Sequence, residues 1–123
     1  MTPDELQSLV EEATYDYVSG DVEAALGKLG QATAACPDSF EAWHAAAEIN
    51  LSLRRLDAAL AAGERAFALR KNDPLVIATL SRTWMERGDK AEAERYGALA
   101  RVQSWKDELS APPQPPADAG GLH

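Results

Sequence analysis

The sequence predicts an all-α protein: three helical hairpins stacked as a short α-solenoid, with an extended last helix and a proline-rich tail. Three observations carry this. YVSGDVEAAL at residues 17–26 and MERGDKAEAE at residues 85–94 share a Gly-Asp followed by an alanine-rich, acidic stretch, and Gly20 and Gly88 stand 68 residues apart, twice 34. Laying the intervening LSLRRLDAALAAGERAF under them puts Arg54 and Arg55 at the Gly-Asp positions, a middle copy whose turn has lost its glycine. Small residues then recur in register: Ala13, Ala47 and Ser81 before the turn, Ala25, Ala59 and Ala93 shortly after it, and Ala32, Ala66 and Ala100 further on. Small side chains seven apart on a helix mark places where neighbouring helices cross too closely for larger groups.

Each element follows from its local chemistry. In the first copy, about residues 6–39, Gly20 fits the position just past a helix end, where the backbone turns left-handed, and Asp21 can cap the next helix by accepting its free N–H groups. Gly27 and Gly30 weaken that second helix by roughly 1 kcal/mol each relative to alanine. Pro37 then separates the copies. In the second, about residues 40–73, Trp43, Ala46, Ala47, Asn50 and Leu51 form one amphipathic stripe and Leu56, Ala59, Leu60, Gly63, Ala66 and Phe67 another, both at three- and four-residue steps. Arg54 must make the bend without glycine, at a cost on the order of 1 kcal/mol if the geometry is kept. The third copy, about residues 74–107, opens at Pro74 and turns at Gly88-Asp89. Its second helix is expected to run on through Val102, Trp105 and Leu109 until APPQPP stops it, giving a helical domain over 1–109 and a Pro/Gly-rich tail over 110–123.

With these residues in place, the chain resembles the tetratricopeptide repeat (TPR) family, with three repeats. The family's small positions are matched by the three alanine rows, its first large position by Leu9, Trp43 and Ile77, its turn glycine by Gly20 and Gly88, and its inter-repeat proline by Pro37. One departure stands out. Where the family places a large aromatic residue, this chain has Leu29, Gly63 and Gly97, so the volume is expected to come from Phe67 and Tyr96.

Composition narrows the function classes. A chain of 123 residues, 46% of them hydrophobic, supports one modest core. MTPDELQSLV lacks the basic start and apolar run of a signal peptide, and no stretch approaches the roughly 20 apolar residues of a membrane span. These features predict a soluble, cytoplasmic chain. The lone Cys36 is read as a half-buried structural thiol, in keeping with a reducing compartment. The net charge of −8 is uneven: residues 1–27 hold seven carboxylates and no Lys or Arg. That balance disfavours nonspecific binding to nucleic acid or an anionic membrane, which needs a basic footprint.

Candidate chemistry is sparse. The serines form no nucleophile elbow, no Gly-rich phosphate loop appears, and His44 lacks the partner that a metal site or a general base requires. The chain is therefore read as not an enzyme, with no cofactor, no metal and no catalytic residue. What the TPR resemblance implies is protein binding on the concave face, lined by the first helix of each hairpin. Mapped onto this sequence, the partner-binding groove comprises Val10, Thr14 and Tyr17, then His44, Glu48 and Leu51, then Leu75, Ala78, Arg82 and Met85. Val10, Thr14, Ala45, Leu75 and Thr79 stand where one TPR subfamily places the Lys, Arg and Asn of a carboxylate clamp, so that mode is rejected. A partner segment with apolar anchors and some basic character fits better. The resemblance admits a cytoplasmic adaptor or scaffold, including a filament-associated role of the kinesin-light-chain-like kind. It also admits, as an alternative, a type III secretion-like chaperone for a secreted client. At the C-terminal end, Trp105 and Leu109 are expected either to cover the last hairpin themselves or to support weak homo-oligomerisation.

Overall fold

In a computed structural model that describes residues 1–111, six helices alternate with short turns: α1 (Pro3–Val18), α2 (Val22–Ala35), α3 (Phe40–Ser52), α4 (Leu56–Leu69), α5 (Pro74–Arg87) and α6 (Lys90–Ser110). Consecutive helices pair as hairpins, α1 with α2, α3 with α4 and α5 with α6, and each hairpin packs on the next. The expected tail from residue 112 onward lies outside the described residues. No helix of the described residues is long and apolar enough to cross a membrane.

The helix starts follow the capping chemistry. Asp21, Asp73 and Asp89 each accept a backbone N–H from the first turn of α2, α5 and α6, and Ser39 does so for α3. Arg55, at the start of α4, has no side-chain cap, as a decayed turn should. The start of α1 is a signal the repeat frame passed over. Thr2-Pro3-Asp4-Glu5 is a capping box, with the Glu5 N–H donating to Thr2 Oγ1 at 3.1 Å and the Thr2 N–H to Glu5 Oε1 at 3.3 Å. The Thr2 side chain, followed by the Thr2 N–H, holds the Glu5 carboxyl below its ordinary range.

All three hairpin turns have one geometry. Gly20, Arg54 and Gly88 donate to Tyr17 O, Leu51 O and Met85 O, while Asp21, Arg55 and Asp89 donate to Asp16 O, Asn50 O and Trp84 O, at 2.8–3.1 Å throughout. This is the Schellman arrangement, which needs a left-handed residue. Gly20 and Gly88 supply it at φ 93° and 92°, and Arg54 supplies it at φ 59° despite its side chain. The connections between hairpins are tied differently: Trp43 Nε1 donates to Pro37 O at 2.8 Å, and Arg65 lies over the Trp43 ring at 5.1 Å.

Of the alanines in the rows, those at 13, 25, 32, 47, 59, 66 and 93 are buried and Ala100 is half-buried, and Ser81 uses its hydroxyl to donate across the crossing to Ala93 O at 2.8 Å. The core divides in two. Ala13, Ala25, Leu29 and Ile49 join the first hairpin to the second, and a larger group of Phe40, Leu60, Val76, Ile77, Leu80 and Tyr96 joins the second to the third. Phe67 and Tyr96 do meet edge to face, at 5.5 Å between centroids. The larger compensation for the missing aromatic is Leu80 of α5, fully buried against Gly63: a Cβ there would lie 2.8 Å from Leu80 Cδ2.

Successive first helices approach backbone to backbone, α1 with α3 and α3 with α5, whereas the backbones of α2, α4 and α6 stay further apart, α4 and α6 meeting through side chains at Phe67 and Tyr96. The layer of α1, α3 and α5 is therefore the tighter one and forms the inner side of the stack, with a 260 Å³ cleft left between the splayed α2 and α4. The C-terminal half of α6 overhangs. Leu99, Val102, Trp105 and Leu109 are exposed along it, so Trp105 and Leu109 do not cover the last hairpin.

Three substitutions test this packing by urea denaturation. Gly63→Leu should lower stability by about 1–3 kcal/mol, because Leu80 has nowhere to move. Gly30→Ala, where an added Cβ meets nothing within 4 Å, should raise it by about 0.5–1 kcal/mol. Arg54→Gly should raise it by about 0.5 kcal/mol, the relief of the left-handed backbone being partly offset by loss of an exposed ion pair with Glu86.

Candidate protein-binding surface

The inner surface is built from the exposed sides of α1, α3 and α5. On α1, Val10 and Tyr17 are half-buried against the first core group, and Thr14 is exposed, its hydroxyl donating back to Val10 O at 3.0 Å. On α5, Leu75, Ala78, Arg82 and Met85 are exposed, Leu75 at 63% and Met85 at 54%. Leu51 and Met85 share a 280 Å³ hollow with Arg54, Arg82 and Glu86.

His44 and Glu48 belong to a network that braces α3 against α5. The Thr79 hydroxyl, 1% exposed, lies 2.6 Å from Glu48 Oε1, and His44 Nε2 lies 3.3 Å from the Thr79 oxygen. Arg82 Nη2 donates to both oxygens of Glu48, at 3.2 and 3.3 Å. His44 also stacks on Phe40, with centroids 5.5 Å apart. The imidazole is thus held between a threonine, a carboxylate and a ring, which is a structural setting. Among the described residues no three His, Cys, Asp or Glu side chains converge as a metal cage.

Repeat spacing alone gives no hint of two features of this surface. A hollow of 490 Å³ opens between the starts of α1 and α3, floored by Pro3, Leu6 and Val10 and rimmed by Glu11 and Glu41. Pro3 precedes the repeat boundary read at residue 6, so the frame excluded it. Arg70 of α4 reaches over the Phe40 ring at 4.4 Å and donates to Glu41 Oε1 at 3.0 Å, pinning one side of that hollow. A signal for Arg70 existed in the run Leu69-Arg70-Lys71 that closes α4, but not its direction.

These helices define a class, the TPR-like α-solenoid, in which paired helices stack and one layer lines a concave surface. No protein-family model matches the chain, and no curated protein matches it in sequence. Solved structures do match in fold. MamA superposes with a TM-score of 0.80 at 16% identity, covering 90% of this chain and 61% of MamA. SycD, a type III secretion translocator chaperone of Yersinia enterocolitica crystallised as an alternative dimer, gives a TM-score of 0.78 at 20% identity, covering 89% of this chain and 86% of SycD. MamA MSR-1 gives 0.74 at 22% identity over 89% of this chain and 62% of its own length. The chain therefore spans about three fifths of MamA's length.

The Glu48–Arg82 brace is testable. Glu48→Ala and Arg82→Ala, made singly and together, should show a coupling in stability of about 0.5–1 kcal/mol that shrinks as salt is raised.

Proposed function

We propose that this chain is a non-enzymatic interaction module, an adaptor or scaffold in a larger cytoplasmic assembly, that docks a segment of another protein on the inner surface of α1, α3 and α5. The observation that carries this reading is the exposure of Leu75 and Met85 on a helix whose other face is fully committed to the core. Large apolar side chains left in water on a concave face are the anchors an amphipathic or extended partner segment would cover. The proposed groove runs from Val10, Thr14 and Tyr17 through His44, Glu48 and Leu51 to Leu75, Ala78, Arg82 and Met85. His44 and Glu48 act in it by fixing the angle between α3 and α5.

A second reading, a chaperone of the type III secretion kind, is favoured by one observation: the chain spans 86% of SycD, with no large part of that chaperone left over. It predicts copurification with an unfolded secreted client. Self-association through the exposed Leu99, Val102, Trp105 and Leu109 of α6 is a separate, compatible proposal.

Crosslinking of a tagged chain in its native cell, followed by mass spectrometry, tests the main reading. Leu75→Lys with Met85→Lys should cut capture of the crosslinked partner by about tenfold or more, and Ala68→Lys on the outer helix α4 should leave it unchanged. Loss with Ala68→Lys alone would move the site to the convex side and end the proposal.

A further inference from the structure

Resting on the concave-surface reading, we infer that the hollow between α1 and α3 receives a lysine- or arginine-rich amphipathic segment of a partner protein, with one apolar side chain seated on Pro3, Leu6 and Val10. The hollow joins an apolar floor to two carboxylates, Glu11 from α1, which faces no cation among the described residues, and Glu41 from α3, which already holds Arg70 at 3.0 Å. Arg70 reaches its rim and Arg55 faces Glu23 at 3.7 Å, but the segment that builds this end is itself one-sided in charge. Residues 1–35 hold seven carboxylates against Lys28 alone, a net of −6 out of the chain's −8. Lys28 is itself taken up by Asp16 at 2.6 Å and Glu12 at 3.8 Å.

Elsewhere the balance is local. Arg54, Arg70, Arg82, Arg87, Arg95 and Arg101 each face a carboxylate within the described residues. The field that would steer a partner therefore emerges at the α1 end, where a low-dielectric floor strengthens it. Charge also selects the occupant. A second copy brings the same −8, with only Arg65, Lys71, Lys90 and Lys106 outside the ion pairs of the described residues, and residues 112–123 of this chain contain Asp118 and no Lys or Arg. A foreign basic segment is the partner that complements the site.

The test uses the full chain and a fluorescein-labelled peptide of about four helical turns, with leucines at three- and four-residue steps and lysines elsewhere. Fluorescence anisotropy should show binding that weakens with salt, and no binding of the matching leucine–glutamate peptide. Glu11→Lys should weaken binding by about tenfold, whereas Glu64→Lys on α4, with the same change in charge, should have a much smaller effect. Circular dichroism of both variants checks that the fold is kept. Absence of lysine-peptide binding, equal losses in the two variants, or equal binding of a peptide with its leucines replaced by serine would overturn the inference. If Glu11→Lys binds normally but Leu75→Lys does not, the hollow is wrong and the concave reading stands. Photocrosslinks confined to α2 and α4 would remove both.

Discussion

Helix backbones in this chain approach one another across alanine, and the rest of the structure depends on that closeness. Ala13, Ala25, Ala47, Ala59 and Ala93 are all buried and Ser81 donates to Ala93 O, so each hairpin closes over small side chains. Such crossings admit only small side chains, so the angle between helices is fixed mainly by contact, with one directional bond added where Ser81 donates to Ala93 O. Gly63 carries the same logic one step further: with no Cβ at all, it lets Leu80 of the next hairpin enter the layer.

Once the hairpins are fixed, the inner surface follows, and two kinds of interaction divide the work there. Core side chains face one way from α5 and leave Leu75 and Met85 on the other. Polar groups at the joint between α3 and α5 are mostly consumed internally, with Arg82, Glu48, Thr79 and His44 forming one chain of contacts. That network limits how far the second and third hairpins can rock, since exposed ion pairs contribute little singly but several on one joint constrain its geometry. Between the first and second hairpins the described residues show a single exposed ion pair, Arg55 with Glu23 at 3.7 Å. The first hairpin carries the smaller core group and most of the uncompensated charge, which makes the N-terminal end the part of the surface most open to electrostatic recognition.

The turns show how a repeat can lose its consensus residue and keep its shape. Arg54 holds φ 59° because the two backbone bonds that close the turn, to Leu51 O and Asn50 O, are made on either side of it. Its side chain reaches Glu86 on the next hairpin at 2.7 Å, so the position that lost flexibility gained a contact between repeats. Neither glycine turn offers that.

The helices, turns, left-handed positions and alanine crossings were legible in the sequence, because each depends on residues near in the chain and recurs at a fixed period. The aspartate caps of α2 and α6 and the run of α6 past Trp105 were legible for the same reason. The capping box at Thr2 was also written there, although the repeat frame looked past it. Which groove residues are free was not legible. His44 and Glu48 share a face by helical spacing, but that they meet Thr79 and Arg82 depends on the offset between α3 and α5, set by Leu80 seating on Gly63 some seventeen residues away in sequence. The hollow at Glu11 and Glu41 likewise exists only where two helix starts converge in space. By itself, then, the sequence determined local geometry and the repeat. Tertiary packing decided which side chains were spent on one another and which were left for a partner, because that choice depends on distances between residues far apart in the chain.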